Sequence, residues 1–194
     1  MPSKEKKLSI IAVSGSIRPN NYTSKALALV LDELKKHPEV DVKLIDPREM
    51  TSVLSAGNIQ ASAKKLQSLV AKATGVILST PEYHGSYSSV IKLIIDNLGY
   101  PSALSGKPVA LLGVASGQIG AIKALEHLRS VCSHVGAIVL PQVVSVAFVD
   151  KIFDEKGHCS DKKVEKRIRS AAAALIEYIE RHICPIPRFK KSAT

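Results

Sequence analysis

Apolar positions recur along this chain in two alternating periods. Leu8–Ser14 is a near-continuous apolar run, as a strand buried on both faces requires. From about Ser24, Leu27, Val30, Leu31 and Leu34 fall at helical spacing and stop at Lys35, Lys36 and His37, just before Pro38. Cations in a last helical turn and a proline beyond it both favour a stop there. Val40–Ile45 alternates, which predicts an edge strand with one wet face. A second helix is expected over residues 60–73, on Leu66, Leu69, Val70 and Ala73, and a third strand over residues 75–80. Residues 88–98 form the third helix, with Ile91, Ile94, Ile95 and Leu98 on one face. Residues 108–115 read as strand four, backed by a helix over about 120–132. The fifth strand falls in residues 137–140 or continues past Pro141 into 143–146. A last amphipathic helix, about residues 161–182, takes Ser160 as its N-cap.

Five strands alternating with five helices predict a doubly wound parallel α/β sheet, because right-handed crossovers place helices on both faces. For a sheet of five, the flavodoxin-like order 2-1-3-4-5 is the economical choice. It makes strands one, three and four neighbours. Those three strands end in polar, glycine-bearing loops at residues 15–21, 80–86 and 115–120. Ligands of open parallel sheets bind beyond the carboxyl ends of the strands, so the loops are candidate walls of one pocket.

At 194 residues, 45% hydrophobic and 23% charged, the chain suits one α/β domain over residues 1–184 with a basic tail over 185–194. No run approaches the ~18 apolar residues of a membrane span. Residues 1–7 resemble a secretory n-region, but the apolar run behind them is short and lacks a small-residue cleavage pattern, so they read as a basic end before the first strand. Cys132, Cys159 and Cys184 are widely spaced without a C-x-x-C pair, which argues against a disulfide framework or zinc site and suits a reducing cytoplasm. Cys132 reads as a small core residue rather than a nucleophile. Of the formal charge of +10, half lies in residues 151–194, where eleven Lys/Arg face six Asp/Glu. Such a balance attracts anionic small molecules; a nucleic-acid patch would want aromatic residues interleaved, and the tail lacks that pattern.

The first loop offers Ser16, Arg18, Asn20, Asn21, Thr23 and Ser24 just before a helix start. Hydroxyls, free amides and a guanidinium there make a phosphate cradle, with an ordinary N-capped turn as the alternative. No G-K-[ST] follows Gly15, so a monophosphate suits it better than a triphosphate. The third loop, with Ser116, Gly117 and Gly120, falls one residue short of G-x-G-x-x-G, and Leu140 stands where an acidic ribose ligand is expected. Its glycines leave room for a flat ring, or simply serve a tight turn. The middle loop sets Glu82, Tyr83 and His84 side by side, costly to bury and therefore at a site or in solvent. His84 is a candidate proton donor or a hydrogen-bonding loop residue; Glu82 and Tyr83 read as positioners.

Gly15-Ser16-Ile17-Arg18, then Pro81-Glu82-Tyr83-His84-Gly85-Ser86, then Ala115-Ser116-Gly117-Gln118-Ile119-Gly120 resemble, in order and spacing, the three segments of the NADPH-dependent FMN reductase family. The likeness spans about residues 8–150. It implies a flavodoxin-like fold that binds FMN, takes hydride from NADPH or NADH, and assembles as a homodimer or dimer of dimers. It further implies quinones, free flavin, azo compounds or metal oxyanions as acceptors, and one open flavin face serving both substrates in turn would give ping-pong transfer. By motif position, Ser16, Arg18, Thr23 and Ser24 would hold the flavin phosphate, Pro81 to Ser86 would border the ring, and Ser116, Gly117 and Gly120 would line its other side. Family members often carry asparagine at the position of His84 and a second glycine at that of Ala121. The readings from other classes are a flavodoxin-type electron carrier and a basic nucleic-acid-binding module without flavin.

Overall fold

The computed structural model describes residues 7–49 and 59–183; the basic segment 185–194 and Cys184 lie outside the described residues. The strands are β1 (Leu8–Ser14), β2 (Val40–Ile45), β3 (Gly75–Tyr83), β4 (Ser86–Tyr87), β5 (Pro108–Val114), β6 (Ile138–Val139) and β7 (Val144–Val146). The helices are α1 (Tyr22–Leu34), α2 (Ile59–Lys72), α3 (Ser89–Asp96), α4 (Ile122–His134), α5 (Val149–Ile152) and α6 (Lys162–Tyr178). The parallel strands run β2-β1-β3-β5, with β6 and β7 sharing the last place, which is the flavodoxin-like order expected from the sequence.

Side-chain alternation divides the apolar residues of the sheet between two cores. Ile10, Ala12, Ile77 and Leu112 meet Leu27, Val30 and Leu34 of α1 and Ile168, Ala172 and Leu175 of α6. Ile11, Val13, Val76, Leu78 and Leu111 meet Leu66 and Val70 of α2, Ile91 and Ile94 of α3, and Leu125 and Leu128 of α4. Each fully buried leucine or isoleucine contributes about 1.5–3 kcal/mol by leaving water, and this double layer holds the strand ends in fixed relation.

Four local features depart from the sequence expectations. The fifth strand is neither alternative alone: β6 pairs with the start of β5 and β7 with its end, and the chain leaves the sheet between them at Pro141, which has no amide to donate. Arg129 compensates by donating to the carbonyls of Leu140 and Pro141, each at 3.0 Å. The first helix starts two residues early, at Tyr22, because Asn21 Oδ1 accepts from the Ser24 amide at 2.8 Å. The cap of α6 is Asp161 rather than Ser160. The Asp161 carboxylate accepts from the amides of Lys163 and Val164, while the Ser160 hydroxyl donates to the Ile152 carbonyl. Finally α6 ends at Tyr178 and continues as a π-helical turn, Ile179–Ile183.

Candidate functional site

The loops after β1, β3 and β5 meet. A cavity of about 270 Å³ at their common rim is lined by Arg18 and Asn20 to Thr23 from the first loop, Pro81 to Tyr83 from the second, and Val114 to Ser116 from the third, with Val149 of α5 closing one side. Arg18 spans two of the loops, its guanidinium carbon 4.5 Å from the centroid of the Tyr83 ring.

The first loop fits close against the sheet. A Cβ on Gly15 would stand 2.4 Å from the Ser79 carbonyl oxygen, so only glycine lets the chain leave β1 here. The Ser88 hydroxyl donates to the Gly15 carbonyl at 2.6 Å and accepts from the Ile91 amide at 3.3 Å, capping α3 while it fixes the loop. Thr80 Oγ1 accepts from the Ser88 amide at 3.0 Å. Thr80 and Ser88 thus form a buried lock that sequence reasoning passed over. The signal for Ser88 was present, a serine three residues before an apolar helical face, but nothing in the pattern tied it to Gly15, far away in the chain.

Where the cavity meets the start of α1, Thr23 is 1% exposed and its hydroxyl has no hydrogen-bond partner. An orphaned buried hydroxyl costs about 1–3 kcal/mol, and it sits in the first turn of a 13-residue helix, where the Asn21 cap takes the Ser24 amide and the amides of Tyr22 and Thr23 are left without an intrahelical partner. Arg18, at the rim, has no carboxylate within ion-pair distance among the described residues. A buried unsatisfied donor, free amides and an unpaired guanidinium together fit a phosphate monoester.

The middle loop is a β-hairpin. β4 pairs antiparallel with the end of β3, Glu82 opposite Tyr87 and Tyr83 opposite Ser86. His84 and Gly85 make the turn with φ of +50° and +75°, the positive pair that a type I′ turn requires. Asparagine and glycine favour that conformation, and histidine holds it here with a left-handed backbone. The His84 side chain is exposed at the tip. Below the turn the hairpin is clamped to α4. Glu82 Oε2 accepts from the Ala124 amide at 3.0 Å, where the helix's own N-cap, Ala121, offers no side chain. Ser86 Oγ lies 3.1 Å from His127 Nδ1.

The remaining sequence-proposed residues divide. Ser116 lines the cavity, and Gly117 beside it has open space where a Cβ would project. Ser16 is buried behind the loop, its hydroxyl 3.4 Å from the Arg18 amide. The Ser24 hydroxyl turns instead to Ser14, 3.3 Å away. Gly120 lies outside the cavity: with φ of +73°, it packs where a Cβ would strike Ser145 Oγ at 2.5 Å, so close backbone packing explains this glycine. Asn21 lines the cavity as its place in the first loop implied, whereas Tyr22 and Val149 are lining residues that the sequence reading did not place there. Cys132 is fully buried and burial pushes its thiol up to about 12, as befits a core residue. Among the described residues no cluster of His, Cys, Asp or Glu suits a metal ion.

Residues 8–151 match the family described as NADPH-dependent FMN reductase. The chain belongs to this family. As a member it is an oxidoreductase that works with FMN and NAD(P)H. It is 28% identical over 182 residues to an NAD(P)H-dependent FMN reductase of Pseudomonas aeruginosa, covering 90% of this chain and 96% of that protein. It is also 28% identical over 179 residues to an FMN-dependent NADPH-azoreductase of Staphylococcus aureus, covering 87% and 94%. Among solved structures, the flavoenzyme NAD(P)H:acceptor oxidoreductase FerB of Paracoccus denitrificans superposes with a TM-score of 0.73 at 23% identity, covering 90% of this chain and 98% of that one. Membership of the reductase family favours neither the electron carrier nor the nucleic-acid module. No helix among the described residues is long and apolar enough to cross a membrane.

Proposed function

We propose that the cavity at the three-loop rim is the FMN site, and that the enzyme passes reducing equivalents from NAD(P)H to small electrophilic acceptors by a ping-pong route. The observation that carries the assignment is the Thr23 hydroxyl, buried and unpartnered at the one place where a phosphate would complete it. FMN supplies the hydride chemistry when bound. The chain's residues do the rest. Thr23, the leading amides of α1 and Arg18 hold the phosphate, with Ser16 supporting the loop from behind. Backbone groups of Pro81, Glu82 and Tyr83 border the ring on one side, and Ser116 and Gly117 line the other. His84, Gly85 and Ser86 shape the hairpin and clamp it to α4. His84 is a turn residue in this reading, so His84→Asn should keep turnover. One mouth serves both substrates in turn, and quinones, free flavin, azo compounds and metal oxyanions are the acceptor classes we propose.

The test is optical. Purified protein titrated with FMN should turn yellow with a bound-flavin spectrum, bleach on adding NADPH, and give parallel double-reciprocal lines with a quinone. Absence of flavin binding rejects the site, and intersecting lines reject the shared mouth.

We further propose that the enzyme is a homodimer, alone or as a dimer of dimers, paired through α3 and α4. Leu93 is 44% exposed and Tyr100 wholly so, and a cleft of about 700 Å³ beside them is lined by Lys92, Ile95, Tyr100, Val131 and His134. That cleft is larger than the cavity at the loops but contains no orphaned buried hydroxyl, so its volume does not mark the chemistry. Light scattering should report a dimer, and Leu93→Glu should yield monomers; a wild-type monomer rejects this. Two free buried thiols, Cys132 and Cys159, support a reducing, cytoplasmic setting.

A further inference from the structure

The mouth of the cavity carries groups that neither the phosphate cradle nor the hairpin uses. Among the described residues there are three cation–ring pairs, Arg18 over Tyr83, Lys25 over Tyr22 and Lys151 over Phe148, the last two at 4.9 Å from the ring centroid; Tyr83 and Tyr22 line the cavity and Phe148 adjoins the lining Val149. Phe148 is the unusual member. It follows β7 and precedes Val149, which lines the cavity, and it holds φ of +48°. A left-handed backbone on a non-glycine residue costs about 1–3 kcal/mol and persists only where its surroundings impose it. Here they do. The Phe148 amide donates to the Gly117 carbonyl at 3.4 Å and the Val149 amide to the Ala115 carbonyl at 3.1 Å, so the segment is strapped to the third loop.

Burial does not account for that conformation, because the Phe148 side is 40% exposed. The strap leaves a flat apolar ring exposed, one residue from the cavity-lining Val149, instead of hiding it. Lys151 above the ring has no carboxylate within ion-pair distance among the described residues. Lys25 donates its ammonium to the Asp154 carbonyl at 2.8 Å and likewise faces no carboxylate, so residues 148–154 carry one cation without a carboxylate partner and contact a second. A flat face with cations at its margin recognises an aromatic base that bears a phosphate.

We propose that Phe148 stacks the adenine of NADPH and that Lys151 receives the 2′-phosphate, so that this chain prefers NADPH to NADH. This rests on the flavin reading of the cavity, since the nicotinamide end must reach the ring held there. The segment belongs to none of the three motifs; it meets the site through Val149 and through its two backbone bonds to the third loop.

The test uses FMN-loaded full-length protein and two redox-inert probes, 2′,5′-ADP and 5′-AMP, titrated by calorimetry. Wild type should bind 2′,5′-ADP about tenfold or more tightly than 5′-AMP. Lys151→Gln should erase most of that ratio. Phe148→Leu, which keeps an apolar side chain but no flat face, should weaken both probes by about fivefold or more while leaving the ratio. The visible spectrum of bound FMN should be unchanged in both variants. Equal binding of the probes by wild type, or an unaltered ratio in Lys151→Gln, overturns the phosphate contact. Wild-type affinities in Phe148→Leu overturn the stacking. A protein that takes up no FMN overturns the flavin reading, and this proposal with it, and shows itself as colourless protein before any probe is added.

Discussion

Two groups of cations in this molecule have opposite surroundings. Arg169 on α6 is saturated: its guanidinium meets Asp32 and Glu33 of α1 and Glu165 of its own helix, and also donates to the Leu29 carbonyl at 3.2 Å. Arg18, Lys25 and Lys151 at the mouth lie over aromatic rings and face no carboxylate. Both groups attract anions, but the first has recruited its anions from the chain and works as a brace between α1 and α6. The second has left room for anions from solution. Charge alone does not separate a brace from a binding site; what already neutralises it does.

Removing each cation should break a different property. Arg18→Ala should weaken FMN binding the most, by about 1.5–3 kcal/mol or tenfold to a hundredfold, with little change in the apoprotein's melting temperature. Flavin fluorescence titration beside calorimetric melting checks both halves. Arg169→Ala should do the reverse, lowering the melting temperature by several degrees while FMN affinity holds. It should also change the acid limb of stability. Asp32 is held below its ordinary value of 3.8 chiefly by its hydrogen bond to Arg169. Glu33 and Glu165 are held below 4.5, each first by a neighbouring lysine, Lys36 or Lys162, and then by Arg169. Depressed carboxylates stabilise the fold fully above their unfolded values, and that stability is lost as pH falls through the folded ones. Wild type should therefore lose stability below about pH 4.5, and Arg169→Ala should lose less of it over the same range; identical acid limbs would refute the brace.

A smaller change isolates the cradle. Thr23→Val keeps the volume and removes the orphaned hydroxyl, so apoprotein stability should rise by about 1 kcal/mol while FMN affinity drops by roughly fivefold. Loss of stability instead would mean that the hydroxyl is satisfied within the chain. Smallest of all, Glu82→Ala should cost about 0.5–1 kcal/mol of stability by uncapping α4, read in urea melts.

What could be read from the sequence was whatever depends on neighbours along the chain. Strand cores such as Leu8–Ser14, the apolar faces of the helices and the three loops all announce themselves by period and composition. The strand order followed as the economical choice for a five-stranded doubly wound sheet, and it made the three loop-bearing strands neighbours. What could not be read depends on partners far away or on backbone conformation. The turn at His84 and Gly85 is concealed because histidine is not the expected left-handed residue. The Ser88 bond to Gly15 joins residues 73 positions apart, and Phe148 is held next to the third loop by its backbone amide. Ser160 was the expected cap of α6, but the Ile152 carbonyl engages its hydroxyl and the Asp161 carboxylate caps the helix in its place.

The interruption at Pro141 has a consequence for behaviour at high concentration. It leaves one margin of the sheet as two stubs of two and three residues, too short to template pairing with another molecule. The opposite margin, β2, carries exposed Asp41 and Lys43, which resist stacking by a like strand. A sheet with neither border open to recruitment should resist fibrillar assembly even when the protein is crowded.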